Sequence, residues 1–360
     1  MTIVGSVTAL PVVDLRADPG HLRERLREAA HEVGFFYLTG HDVPDELARR
    51  VLEVARRRFE LPQADKDAIA MVRSPHFRGY TRLGGELTRG EVDWREQIDI
   101  GPERHSIGGP GKPDYLWLQG PNQWPAALPE LRRIVDEWDA ALSGVARTLL
   151  RHWAAALGSP PEVFDAAFAE TPATLIKVVR YPARAASTQG VGAHRDSGVL
   201  TLLLAEPGSR GLQVRRGGRV DSDQDRTEGW VDVPPLDGAF IVNIGELLEV
   251  ATRGYLRATE HRVNLGAPAP ERISVPYFFN PRLDAQMPVL SLPSELRALA
   301  VDSGWTPAQD PSDRIFSVYG RNAWKSRLRA HPDVVAAHGY SAGRVEDQNP
   351  ARSVQDFKGL

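Results

Sequence analysis

From residue 172 onward the chain changes rhythm, and that change limits its fold more than any other feature. TLIKVVRYP, GVLTLLLAE, GLQVRR, WVDVPP, AFIVNIGELLEV, HRVNLG and RISVPYFFN follow one another as short apolar or alternating runs divided by turn-rich stretches. Period-two alternation puts neighbouring side chains on opposite faces of a strand. Many short strands at this spacing argue for an all-β sandwich or jelly roll rather than a parallel sheet.

Upstream the periodicity is mainly helical. ALPVVDL (9–15) reads as a short strand, and GFFYLTGH (34–41) as a buried strand ended by glycine. Leu22, Leu26, Ala29, Ala30 and Val33 recur at helical spacing; Pro44, Leu47, Val51 and Val54 mark a second amphipathic helix. Residues 74–125, rich in Gly, Pro and aromatics, predict a long irregular connection, where binding surfaces often lie. Pro129 opens the longest helical pattern (Leu131, Val135, Trp138, Leu142, Val145, Leu149, Trp153), and Gly158 with Pro160-Pro161 closes it. This helix is expected to support one face of the sheet. The predicted organisation is an all-β core, 172–285, with packed N-terminal and central α-helices. A helical and strand region (1–125), the long helix (126–171) and a C-terminal helical extension with a polar tail (286–360) surround that core.

Composition narrows the chemistry. With no cysteine there are no disulfides, zinc–thiolate sites, iron–sulfur clusters or thiol nucleophiles, so any metal must be held by His, Asp or Glu. A formal net charge of −3 gives no reason to expect a nucleic-acid or anionic-membrane partner. The first fifteen residues carry neither a basic n-region nor a sustained apolar stretch, and no run approaches the roughly 20 apolar residues of a membrane span. A cytoplasmic enzyme acting on a small molecule is the expectation. Oligomeric state leaves no mark in the sequence.

In GAHRDSGVLTLLL (192–204), His194 and Asp196 stand at i and i+2, a spacing that in a strand aims both side chains at one point. Alone the pair means little, since ten histidines and 25 aspartates in 360 residues give about 0.7 such pairs by chance. His261, in the strand-like TEHRVNLG, supplies a second imidazole within the same β region. Two imidazoles and one carboxylate on one face of an octahedral metal leave three positions open, the facial triad of non-haem iron(II) oxygenases. Zinc hydrolysis uses similar ligands but needs one open position. Further on, Arg272 and Ser274 share a strand face, and the Gly266–Pro270 turn would fold that strand back beside His261. A buried guanidinium is costly unless an arriving carboxylate pairs with it.

At these residues the chain resembles the isopenicillin N synthase-like family of iron(II)/2-oxoglutarate-dependent dioxygenases. The run comprises HRDSGVLTLL (194–203), GLQV (211–214), WVDVPP (230–235), NIGELLE (243–249), ATRGYLRATEHRV (251–263) and RISVPYFF (272–279). Similarity also covers LPVVDL (10–15), GFFYLTGH (34–41), FRGY (77–80), GPNQWP (120–125) and YGRNAWKSRLRAHPDV (319–334), nearly the whole chain. The resemblance implies a double-stranded β-helix core, with His194, Asp196 and His261 as iron(II) ligands. It implies Arg272 and Ser274 as the grip on the distal carboxylate of 2-oxoglutarate, and Tyr181 as a contact to a cosubstrate or substrate carboxylate. Phe278 shares a face with Arg272 and Ser274 and is a candidate cavity-lining residue; Phe77, Arg78 and Tyr80 are candidates to cover the mouth of the site. Glu246 and Arg253 depart from the aspartate and asparagine of many relatives, and residues 219–229 look like an inserted, exposed loop.

The implied reaction consumes dioxygen and 2-oxoglutarate and yields succinate, carbon dioxide and a hydroxylated product. Desaturation, ring closure or epoxidation would use the same machinery. Two other functions compete. A four-electron oxidase without 2-oxoglutarate would use Arg272 and Ser274 for a substrate carboxylate. A silent binding protein on the same fold would be expected to have lost a ligand, and all three are present.

Overall fold

The computed structural model describes residues 10–183, 188–216, 229–266, 270–302 and 314–340. The expected 219–229 loop, the Gly266–Pro270 turn and the polar tail lie largely outside these residues. Strand β1 (Val12–Asp14) leads to helix α1 (Pro19–Glu32), whose N-terminus is capped by the Asp18 carboxylate accepting from the Gly20 and His21 amides. Next come β2 (Phe35–Thr39), α2 (Asp45–Glu60) and α3 (Gln63–Ala68). The expected irregular stretch contains β3 (Gly79–Thr81), β4 (Leu87–Thr88), β5 (Glu91–Val92) and β6 (Glu96–Ile100).

That is the first correction. β6 reads EQIDI and is buried along its entire length, paired with the strand that follows the long helix. Its polar residues are buried because they join ion pairs and hydrogen bonds, so apolar periodicity could not reveal them.

Helix α4 (Glu130–Ala156) runs from Pro129 and ends at Leu157, where Gly158 takes a left-handed φ of +79°. β7 (Leu175–Tyr181), β8 (Gln189–His194), β9 (Leu200–Ala205), β10 (Leu212–Arg215), β11 (Trp230–Asp232) and β12 (Phe240–Ile244) follow. The end of AFIVNIGELLEV is not strand but helix α5 (Glu246–Ala251), begun at Gly245. β13 (His261–Asn264), β14 (Arg272–Phe279), α6 (Ser294–Asp302), α7 (Tyr319–Ala330) and α8 (Pro332–His338) complete the order.

The main strands form two sheets. The larger has the order β1-β2-β12-β9-β14-β7-β6-β3 and the smaller β11-β10-β13-β8, and every pairing but β1 with β2 is antiparallel. One face of the large sheet packs on the helices: Trp138, Leu142 and Leu149 of α4 share a core with Ile273, Val275, Tyr277 and Phe279 of β14. Its other face meets the small sheet through two apolar patches, Phe35, Tyr37, Ile241, Leu212 and Val214 at one end, and Val179, Tyr181, Val191 and Val263 at the other. Between the sheets lies a cavity. The strand pleat decides who reaches it: Arg272, Ser274, Pro276 and Phe278 line it, while the residues between them enter the helix-facing core. Among the described residues, no helix is long and apolar enough to cross a membrane.

Candidate metal centre and cosubstrate cavity

β13 and β8 pair antiparallel with His261 directly opposite His194, and their rings sit 4.3 Å apart. Each Nδ1 faces a backbone carbonyl, Gly192 O at 2.8 Å for His194 and Thr259 O at 3.2 Å for His261. Donation there fixes the proton on Nδ1 and leaves the Nε2 lone pair free. Both Nε2 atoms face Asp196 Oδ1, at 3.6 and 3.8 Å. The other carboxylate oxygen, Oδ2, accepts from Thr201 Oγ1 at 2.6 Å and Asn243 Nδ2 at 2.8 Å. One free ligand atom per residue thus points inward, all within 4.8 Å of one another.

Asp196 does not reach this point from a strand, as its spacing had suggested. β8 ends at His194, and Asp196 lies in the bend leading to β9. The N-terminus of α5 holds that bend: the Glu246 and Leu247 amides donate to the Asp196 and Gly198 carbonyls at 2.7 and 3.0 Å. A Cβ at Gly245 would stand 2.2 Å from the Gly198 carbonyl oxygen, so only glycine permits the approach.

Electrostatics favour the ligand forms of His194 and Asp196. Burial, reinforced by His261, pushes the His194 imidazole down to about 4, so it is neutral at pH 7. Burial acting alone would raise the Asp196 carboxyl, but His261, His194, Thr201 and Asn243 hold it below its usual value. Two imidazoles and a carboxylate with one oxygen free suit a divalent metal of the iron type.

The cavity, of about 850 Å³, extends from these ligands across both sheets. Arg272 stands opposite Tyr181 in the β14–β7 ladder, its guanidinium 4.8 Å from the Tyr181 ring centre. Its Nη1 donates to the Arg210 carbonyl at 3.1 Å, and its Nε is buried without an acceptor. Burial lowers its pKa, with Tyr181 and Glu206 opposing. Ser274 follows on the same face. Contrary to the expected hairpin, β14 does not pair with β13; it belongs to the facing sheet, so the arginine confronts the histidines across the cavity. Two strands in sequence were assumed to be neighbours in one sheet, whereas the sandwich connection carries the chain between sheets.

Phe278 and Arg78 are part of the cavity wall; Phe77 and Tyr80 are not. Phe77, with φ +54° and no exposure, packs against Trp324 and Tyr340. Tyr80 is buried beneath the Arg58 guanidinium and donates to Glu96 at 2.6 Å. Gly79, which begins β3 directly after Arg78, has a φ of +112°. Sequence reasoning missed Thr201, Asn243 and the charged wall formed by Glu86, Arg95, Lys177 and Arg327. Lys177, inside the apolar TLIKVVRY and on the Tyr181 face, was a usable signal: a lysine at an inward strand position needs a buried partner. Here that partner is Glu86, at 2.7 Å.

Comparison with known proteins agrees with this arrangement. The family model for the non-haem dioxygenase in morphine synthesis N-terminal matches residues 10–127, and that for the 2OG-Fe(II) oxygenase superfamily matches 173–281. A 2-oxoglutarate-dependent dioxygenase, frbJ, of Dothideomycetidae sp. (strain 11243) is 34% identical over 348 residues, covering 91% of each chain. Homoarginine-6-hydroxylase 2-ODD-C23 of Glycine max is 34% identical over 279 residues, 74% of this chain and 80% of its own. Among solved structures, JOX2 in complex with 2OG, Fe and JA superposes with a TM-score of 0.67 at 25% identity, covering 92% of this chain and 89% of that one. The chain belongs to the 2OG-Fe(II) oxygenase superfamily. It is an oxidoreductase whose cofactors are iron(II), 2-oxoglutarate and dioxygen.

Proposed function

We propose that His194, Asp196 and His261 hold the iron(II), that Arg272, Ser274 and Tyr181 receive the distal carboxylate of 2-oxoglutarate, and that the protein hydroxylates a small organic molecule in a biosynthetic pathway. The observation that carries this is the convergence of two free Nε2 atoms on the one free oxygen of Asp196. It is supported by a buried, carboxylate-free guanidinium on the opposite wall of the same cavity.

Bound iron would supply activation of dioxygen at the expense of the keto acid, giving succinate and carbon dioxide. The protein supplies position and shelter. Gly192 and Thr259 carbonyls fix both imidazoles; Thr201 and Asn243 turn the Asp196 carboxylate so that one oxygen stays free. Arg272, held by the Arg210 carbonyl and the Tyr181 ring, pairs with a carboxylate in a water-poor setting where the pairing is strong. A volume of about 850 Å³ accommodates a cosubstrate and a small substrate together. An amino-acid derivative or natural-product intermediate fits this space, and the homoarginine hydroxylase among the relatives supports that class.

In the same proposal, residues 172–285 are the double-stranded β-helix, or jelly roll, braced by 1–125 and by the long helix of 126–171, with 286–360 as an extension. Assaying succinate from 2-oxoglutarate tests the function. Purified protein with iron(II) and oxygen should form succinate, and Asp196→Ala should form less than about 1% as much. Substrate oxidation without succinate would instead favour a four-electron oxidase.

A further inference from the structure

Resting on that assignment, we propose that Arg78 anchors a carboxylate or comparable anionic group of the substrate, so that the molecule oxidised is a small organic acid. The other buried cations of the cavity wall are matched by carboxylates. Lys177 pairs with Glu86 at 2.7 Å, Arg95 with Glu86 at 3.0 Å and Asp93 at 3.2 Å, Arg327 with Asp99 at 2.5 Å, and Arg215 with Glu260 at 3.0 Å. Among the described residues, Arg272 and Arg78 are the buried guanidinium groups of that wall without such a partner.

Arg78 is built in rather than loosely draped. Its Nη2 donates to the Leu118 carbonyl at 2.9 Å, and a Cβ at Gly101 would stand 2.3 Å from that same atom, so glycine makes room for the guanidinium. Nε is buried without an acceptor, and Nη1 has no hydrogen-bond partner among the described residues. Asp99, the carboxylate that acts on Arg78, is already shared by Arg327, Lys177 and Gln97. Burial lowers the Arg78 pKa to about 10, and Arg327 and Arg104 add to that lowering. An arriving anion would relieve this local excess of positive charge.

The position separates Arg78 from the cosubstrate grip. Arg78 immediately precedes β3 at the sheet edge, and β6 and β7 lie between β3 and the β14 strand of Arg272. Three strand spacings amount to roughly 14 Å between the two backbone positions. Tyr319 lines the same cavity. Burial raises its hydroxyl pKa, with Arg327 and Arg78 opposing and Asp196 reinforcing, so both the guanidinium and the ligand carboxylate act on this one side chain. An acid held at Arg78 therefore places its remaining carbons in the cavity that His194, Asp196 and His261 also line.

The test uses full-length protein loaded with Mn(II) and saturating 2-oxoglutarate, which occupies Arg272. A panel of aliphatic, aromatic and amino carboxylic acids, L-homoarginine included, is titrated by calorimetry, each acid beside its primary amide. At least one acid should bind about tenfold or more tighter than its amide, the scale of a charge-assisted hydrogen bond. Arg78→Met should abolish that preference and Arg78→Lys retain part of it. If the methionine variant does not fold, the lysine variant decides: without the planar fork the preference must fall several-fold. No acid preferred over its amide in wild type, or a preference left undiminished by either substitution, overturns the inference. A wild type that binds no 2-oxoglutarate sinks the functional assignment and this inference together; one that binds it yet ignores the acid–amide difference sinks this inference alone.

Discussion

Arg272, the proposed grip on 2-oxoglutarate, is held at the expense of stability. Its charge is buried, partnered by one carbonyl and an aromatic face rather than by a carboxylate. Replacing a buried unpaired charge by an apolar side chain of similar length is often neutral or stabilising. Arg272→Met should therefore leave the ligand-free melting temperature unchanged or higher, while 2-oxoglutarate binding weakens by about 1.5–3 kcal/mol, the range for hydrogen bonds to charged groups. Melting curves with and without 2-oxoglutarate separate the two effects; a variant that loses stability but keeps its affinity would show the arginine to be structural. At this scale much was legible in the chain itself. His194, Asp196, His261, Arg272 and Ser274 stand out by type and spacing. Thr201 and Asn243 do not, because a hydroxyl and an amide in apolar strands become meaningful only when the fold brings them to Asp196 Oδ2.

At the scale of elements, the ligand bend depends on α5. Three consecutive amides at its start, from Gly245, Glu246 and Leu247, donate to the Val199, Asp196 and Gly198 carbonyls. Gly245→Ala should force those backbones apart, costing about 1–3 kcal/mol as an overpacked site does. Because the strain falls on Asp196, metal affinity should drop as well. Denaturant midpoints alongside metal titration check this, and undisturbed affinity would mean the bend is held from elsewhere. Here the sequence was only half readable. Apolar alternation marks β7, β9, β12 and β14 correctly, since each has one face in the helix-packed core. It fails for β6, where Gln97 and Asp99 are almost wholly buried by virtue of their partners. It fails also for the placement of β14 opposite β13, because pairing across a sandwich is set by three-dimensional connection and not by local pattern.

For the whole molecule, a buried histidine at the junction of α7 and α8 couples stability to pH. His331, about 1% exposed and near Glu86 and Arg327, is pushed down to about 4 by burial, with Arg327 adding to the effect and Glu86 opposing it. It is neutral in the folded state, whereas an unfolded histidine takes up a proton below about 6.5. The stabilisation is thus fully present above pH 6.5 and is lost as pH falls toward 4. In metal-free protein His194 acts in the same direction. Urea midpoints should therefore decline between those limits, with His331 accounting for up to about 3 kcal/mol. His331→Gln should flatten the decline; an unchanged slope would show that the ring is solvated.

Iron binding itself tests the ligand assignment most directly. Under anaerobic conditions with 2-oxoglutarate present, wild-type protein should take up one iron(II) per chain, as the single cluster of three converging ligands among the described residues requires. Asp196→Ala and His261→Ala should each lose that uptake while keeping the native circular dichroism spectrum. Iron bound at wild-type affinity after both substitutions would contradict the assignment of these residues as its ligands.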